Sequence, residues 1–167
     1  MNAAYLHLLV NHFPIVLSVV GAAMIVLAML MRRDSLWRFG MACVALAGLG
    51  AIAAFFTGRA AEDVARHAWY VQRGTIGRHE GAAELALWVT LVAAVICAYT
   101  LWRSSGRPAP GATAFPALLR VLSALGALAA AATAGYAGYL GGKIVHDAPA
   151  LARPPAGVTA PALPPNV

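Results

Sequence analysis

Four long apolar runs divide the chain, and its polar residues gather at their ends. The first covers residues 5–31 and closes at Arg32-Arg33-Asp34; the second, about 36–57, closes at Phe55-Phe56-Thr57-Gly58-Arg59. The third covers 79–103 and ends at Trp102-Arg103, and the fourth, about 115–145, is dominated by Ala and Gly. Each reaches the roughly 20 residues that a helix needs to cross a bilayer. The first is not a cleaved signal: Met1 to His12 carries no Lys or Arg, and no small-residue cleavage site follows. Between the second and third runs, residues 60–72 have the spacing of a short amphipathic helix. Val64, Ala68 and Val71 share one face, Glu62, Asp63 and Arg66 the other, and Trp69-Tyr70 suit a membrane interface. Gly74 and Gly77 are expected to break it. Residues 104–111 read as a loop, and 147–167, with six prolines and little to bury, as a disordered tail. The predicted fold is all-α: an integral membrane four-helix bundle over residues 1–146, with one short interfacial amphipathic helix.

Composition agrees. The chain is 61% hydrophobic and 11% charged, against globular averages of about 45–50% and about 25%. The formal charge of +6 would suggest nucleic acid in a soluble protein, but here the basic residues flank apolar runs. Their role there is to fix topology, and nucleic acid is excluded as a partner. Arg32, Arg33, Arg38, Arg103, Arg107 and Arg120 crowd the two short loops after runs one and three. Those loops are expected on the cytoplasmic side, with both termini outside. Cys43 and Cys97 lie inside apolar runs, without a C-x-x-C-H or C-x-x-C motif, and read as small buried hydrophobes.

The candidate chemistry is histidine. Counted from the arginine that closes each helix, His7, His79 and His146 fall at nearly one level near the outer interface. His12 lies ~7 Å deeper at 1.5 Å per residue. Polar titratable groups at such positions are expensive and read as functional. Five residues rotate a helix by ~140°, so His7 and His12 face different neighbours. Pro14 removes a hydrogen bond near Val10 and predicts a kink beside His12, where Asn11 is placed to satisfy the freed carbonyl. His12 is expected to be buried, whereas His67, on the amphipathic segment, reads as a plain interfacial residue.

Neutral imidazole ligates iron, copper or zinc, and facing helices of a bundle can supply two axial ligands to haem. The glycines at 126, 135, 138, 141 and 142 offer room for a flat ring, or equally for close packing of another helix. One expectation is therefore haem b bound through His7, His12, His79 and His146, as one haem or at most two, for electron transfer rather than stand-alone enzymology. Its partner would be a quinone or a periplasmic redox protein. A second is a non-haem zinc, copper or iron enzyme or carrier using the same histidines with Glu80 or Glu84, although no H-E-x-x-H or E-x-x-H spacing is present. A third is a structural subunit of a membrane complex without a cofactor.

Four blocks in order carry a resemblance: His7-Leu8-Leu9-Val10-Asn11-His12-Phe13-Pro14, Thr57-Gly58-Arg59-Ala60-Ala61-Glu62, His79-Glu80-Gly81-Ala82-Ala83-Glu84 and Gly141-Gly142-Lys143-Ile144-Val145-His146. Over residues 5–147 the chain resembles a bacterial group of small four-helix membrane proteins catalogued as a domain of unknown function. The resemblance implies a bacterial inner-membrane location and supplies no activity. The chain departs from the group's pattern in the basic loop with Arg73 and Arg78 and in the Pro-rich tail.

Overall fold

The computed structural model describes residues 3–66, 73–105 and 115–146, and side chains over 5–62, 74–105 and 115–144. The described residues form five helices: α1 (Ala3–Val10), α2 (His12–Met31), α3 (Asp34–Arg66), α4 (Arg73–Arg103) and α5 (Ala117–His146). α1 and α2 are one rod interrupted at Asn11, which keeps right-handed helical angles (φ −63, ψ −22). Its N–H still donates to the His7 carbonyl at 2.9 Å. The interruption follows from Pro14, which has no N–H to offer the Val10 carbonyl.

α2 stops in a tight corner. Arg32 takes a left-handed conformation (φ 51, ψ 43), and its N–H and that of Arg33 both turn back to the Ala28 carbonyl. This is the usual way to satisfy the open carbonyls of a helix end, here without the customary glycine. Asp34 then sits in the first turn of α3, where the helix dipole favours an acid.

The helices alternate in direction around a square: α2 touches α3, α3 touches α4, α4 touches α5, and α5 returns to α2. All four rods, with α1–α2 counted as one, are long and apolar enough to cross a membrane. Their outer faces stay apolar. Leu30, Trp102 and Leu118 are each about 70% exposed (75%, 69% and 69%), an exterior suited to lipid rather than water.

Small residues hold the rods together, as expected where lipid competes equally for apolar surface and close van der Waals packing decides. Gly21 and Gly40 bring α2 and α3 into backbone contact. A Cβ on Gly40 would stand 2.8 Å from the Gly21 carbonyl oxygen and 2.8 Å from Ile25 Cγ1. Gly48 lies against Ala94 between α3 and α4, Gly126 against Ala93 between α4 and α5, and Gly138 against Ile15 between α5 and α2.

Larger side chains close the end opposite the histidines. Phe115 is fully buried and packs on Trp37, ring centroids 6.3 Å apart. Arg38 lies over Phe115 at 5.2 Å and donates to the Ser104 carbonyl at 2.7 Å; Arg120 covers Trp37 at 5.8 Å. This plug joins the α2–α3 corner to the start of α5. Phe115→Ala is expected to destabilise the bundle by about 3–5 kcal/mol, the usual cost of emptying a buried phenylalanine site, measured as unfolding in detergent.

The two hairpins repeat one another. The six buried residues of α2, namely Pro14, Ser18, Gly21, Ala22, Ile25 and Ala28, have counterparts in α4 at the offset separating His7 from His79. Those counterparts, Ala86, Thr90, Ala93, Ala94, Cys97 and Thr100, are all buried. Likewise Gly40, Met41, Val44, Ala47 and Ala51 of α3 match buried Ser123, Ala124, Ala127, Ala130 and Ala134 of α5, at the offset from Gly58 to Gly141. With the square packing, this relates α1–α3 to α4–α5 by an approximate twofold axis along the bundle.

The expected all-α four-helix bundle is present. Of the expected separate helix over 60–72, residues 60–66 are instead the last turns of α3, residues 67–72 lie outside the described residues, and Gly74 and Gly77 lie inside α4 without breaking it. Ala61, Thr75 and Ile76 are buried, so interhelical packing carries the helices past glycines that each cost only ~1 kcal/mol. Trp69-Tyr70, His67 and the Pro-rich segment 147–167 fall outside the described residues.

Candidate functional site

At the histidine end the chain places one imidazole on each of two diagonally opposite rods. His7 comes from α1 and His79 from α4, both half-buried. Each lays its Cε1 edge against a glycine of the next helix. A Cβ on Gly58 would stand 3.0 Å from His7 Cε1, and a Cβ on Gly141 would stand 3.0 Å from His79 Cε1. Gly58 and Gly141 are matched positions of the two hairpins, so the seats are equivalent.

The hydrogen bonds fix the tautomers. His79 Nδ1 lies 3.0 Å from the Ala137 carbonyl oxygen, which can only accept, so Nδ1 carries the proton. His7 Nδ1 lies 3.2 Å from Thr57 Oγ1. The Thr57 hydroxyl donates to its own helix, at 2.9 Å to Ala53 O and 3.1 Å to Ala54 O, so here too Nδ1–H is the donor. In the neutral imidazoles both Nε2 atoms therefore keep a lone pair. Ala137 lies one turn before Gly141, toward the middle of the bundle. With Cε1 on Gly141 and Nδ1 drawn toward Ala137, the Nε2 corner is left toward the helix end, and His7 follows the same pattern on α3.

Among the described residues, the buried side-chain polar atoms without a partner are Asn11 Oδ1, Ser18 Oγ, Thr90 Oγ1 and Ser104 Oγ. Neither histidine Nε2 is among them. The two rings also lie within electrostatic reach of one another. Two cations stand at the same end, each over an aromatic ring one turn back: Arg59 over Phe55 at 5.8 Å and Lys143 over Tyr139 at 5.4 Å.

His12 does not join the pair. It is exposed on the outside of the bundle, and its Nδ1–H donates to the Leu8 carbonyl of its own helix at 2.7 Å. The expectation of a buried His12 is corrected by helix rotation: five residues beyond His7, the side chain has left the inner face. Asn11 does not cap the break either, since it makes no side-chain cap bond and its Oδ1 is buried without a partner. α5 carries His146 to the same end, but its side chain is outside those described. Glu80 is half-buried and engaged, whereas Glu84 is exposed, facing away from the histidine pair.

The glycines of α5 do not provide an open cradle. Gly141 is filled by His79, Gly138 by Ile15 and Gly126 by Ala93, whereas Gly135 has open space beside it. They seat side chains, two of which are the imidazole and the isoleucine that define the site's floor. Thr57 was not singled out from the sequence as a site residue. Its place beside Gly58 within the resembling block was the available signal.

Among the described residues no three His, Cys, Asp or Glu side chains come together as a metal-binding group. Compared with protein-family models, with curated proteins and with solved structures, the chain matches none.

Proposed function

We propose that this is a four-pass inner-membrane protein that binds haem b at its histidine end, for one-electron transfer. The observation that carries the reading is the equivalent pair His7 and His79, each pinned through Nδ1–H with Nε2 left as the donor. Metal-ligating histidines are held in this way, the second nitrogen donating to a carbonyl or similar oxygen so that ring angle and tautomer are fixed. A two-ligand requirement suits the pair. A non-haem metal would call for a third ligand, and the described side chains do not group in threes.

The donor set fits haem; the filled glycines mean that the macrocycle would not rest on Gly138 or Gly141. His7 and His79 would hold the iron, and Arg59 and Lys143 would supply positive charge for the carboxylates of the group. When bound, haem supplies a reversible one-electron iron couple. The chain's own contribution is to orient the two imidazoles, place the proton of each neutral ring on Nδ1 and surround them with apolar helix. In this reading the histidine end faces the periplasm, because the short Arg32-Arg33 corner belongs on the cytoplasmic side. A periplasmic redox protein or a membrane quinone would then exchange the electron.

The test is the absorbance spectrum of the purified full chain. A Soret band that shifts on dithionite reduction is expected. Bound metal without a Soret band would replace this reading with the non-haem one, and neither would leave a structural subunit. A narrower expectation concerns the glycine seat. Gly141→Val places methyls where His79 Cε1 lies, so bound haem should fall by about tenfold, in the range typical of disturbed outer-shell support. The helical circular dichroism should be retained.

A further inference from the structure

The lipid-facing side of α3 and α4 carries a groove of about 240 Å³ lined by Ile52, Phe55, Phe56, Leu87, Trp88 and Leu91, with Glu84 as its one ionisable residue. We propose that this groove binds the head ring of a membrane-soluble hydroxyaromatic, a quinol. Four observations converge on that occupant. The groove opens on the apolar exterior, where Phe56 and Trp88 are largely exposed, so its ligand arrives through the bilayer. Three aromatic side chains line it, and stacking against flat rings favours a flat ring. Its volume exceeds the roughly 150 Å³ in which an engineered cavity holds benzene, leaving space for ring substituents.

The fourth observation decides the class. The Glu84 carboxylate has no hydrogen-bond or ion-pair partner among the described residues, although it stands within an apolar span. A polar group so placed is costly unless a donor meets it. A phospholipid acyl chain offers no donor, whereas a quinol hydroxyl offers one attached to an apolar ring. The bundle's approximate symmetry supplies an internal contrast. On the matching face between α5 and α2, Gly135 and Gly138 stand for Ile52 and Phe55, and Ile15 fills the space beside Gly138. Trp88 likewise answers to Val16, so two of the three aromatic walls are particular to the α3–α4 side, while Phe56 has an aromatic counterpart in Tyr139. Glu84 lies five residues along α4 from His79, about 7.5 Å of rise and ~140° around the helix, so the groove opens on a different face of α4 from the proposed redox centre. The binding itself does not depend on that centre.

The test uses the full chain in phospholipid nanodiscs, labelled with a photoreactive azidoquinone and competed with ubiquinol-1 or ubiquinone-1. Label is expected on residues 52–56 and 84–91, with ubiquinol-1 competing about tenfold better than ubiquinone-1, because an ionised carboxylate accepts from a hydroxyl and repels a carbonyl. Glu84→Gln should erase that preference, and Leu91→Trp, which fills the groove from its partly buried wall beside Gly48, should weaken both competitors by at least about tenfold. Label spread over the exterior, or equal competition unchanged by both substitutions, would overturn the proposal and leave the groove to acyl chains. The His7→Ala/His79→Ala double variant separates the two readings: retained quinol competition there shows the groove independent of the haem, whatever the Soret band does.

Discussion

On the proposed haem reading, His79→Ala is expected to strip the purified protein of haem, lowering its content by well over the roughly tenfold that loss of a mere supporting contact brings. His7→Ala should do the same, because the two rings hold equivalent seats on Gly58 and Gly141 and are oriented by equivalent bonds, one through Thr57 and one directly on Ala137. If both would hold one group, removal of either should also shift the Soret band of whatever haem remains. His12→Ala should retain full content, since that imidazole is exposed and already donates to Leu8. Haem quantified by the pyridine haemochrome spectrum, per mole of protein, reads all three. Full content in His79→Ala, or loss in His12→Ala equal to loss in His79→Ala, would refute the His7–His79 pair. The hydroxyl of Thr57 gives a finer measure: Thr57→Val keeps the shape and removes the acceptor, so its effect should be smaller than that of either histidine.

Much of this architecture is legible in the chain because lipid simplifies the code. A run of apolar residues about 20 long has one stable solution, and the four runs map onto the four rods with shifts of a few residues. The interruption at Asn11 is equally local, since a missing N–H at Pro14 has the same consequence in any helix. The level of His7 and His79 follows from counting rise along α2 and α4. Their facing does not, because it depends on which side of each rod its neighbours occupy. His12 shows the limit: burial inferred from depth alone fails when rotation places the side chain outside. The fate of residues 60–66 shows another. Their amphipathic spacing is real, but continued packing at Ala61, Thr75 and Ile76 keeps α3 and α4 running. The internal match of the hairpins was present in the chain all along, as a constant offset between buried positions. Because most matched positions carry different residues, such as Ile25 against Cys97 and Met41 against Ala124, it becomes visible only once burial is known.

The close crossing of α2 and α3 is where a single methyl group should do the most structural damage. Gly40→Ala would put a Cβ 2.8 Å from the Gly21 carbonyl oxygen, 2.8 Å from Ile25 Cγ1 and 3.1 Å from Ile25 N. Two of those three atoms are backbone, which cannot rotate away, so the rods themselves must part. Separation would loosen Ile25, Met41 and Val44, all essentially fully buried at the same crossing. Overpacking of this kind costs about 1–3 kcal/mol, and the backbone clash places Gly40→Ala at the upper end. Gly135→Ala is the matched control on α5, in a helix of similar length and composition. Nothing lies within 4 Å of its added Cβ, and alanine's better helix propensity contributes up to about 1 kcal/mol in its favour. Unfolding followed by circular dichroism during titration with a denaturing detergent should move the two variants in opposite directions from the parent. If Gly40→Ala unfolds with the parent, α2 and α3 do not cross at the Gly21–Gly40 contact, and the packing that sets His7 against Gly58 two turns above Ala51 would have to be redrawn.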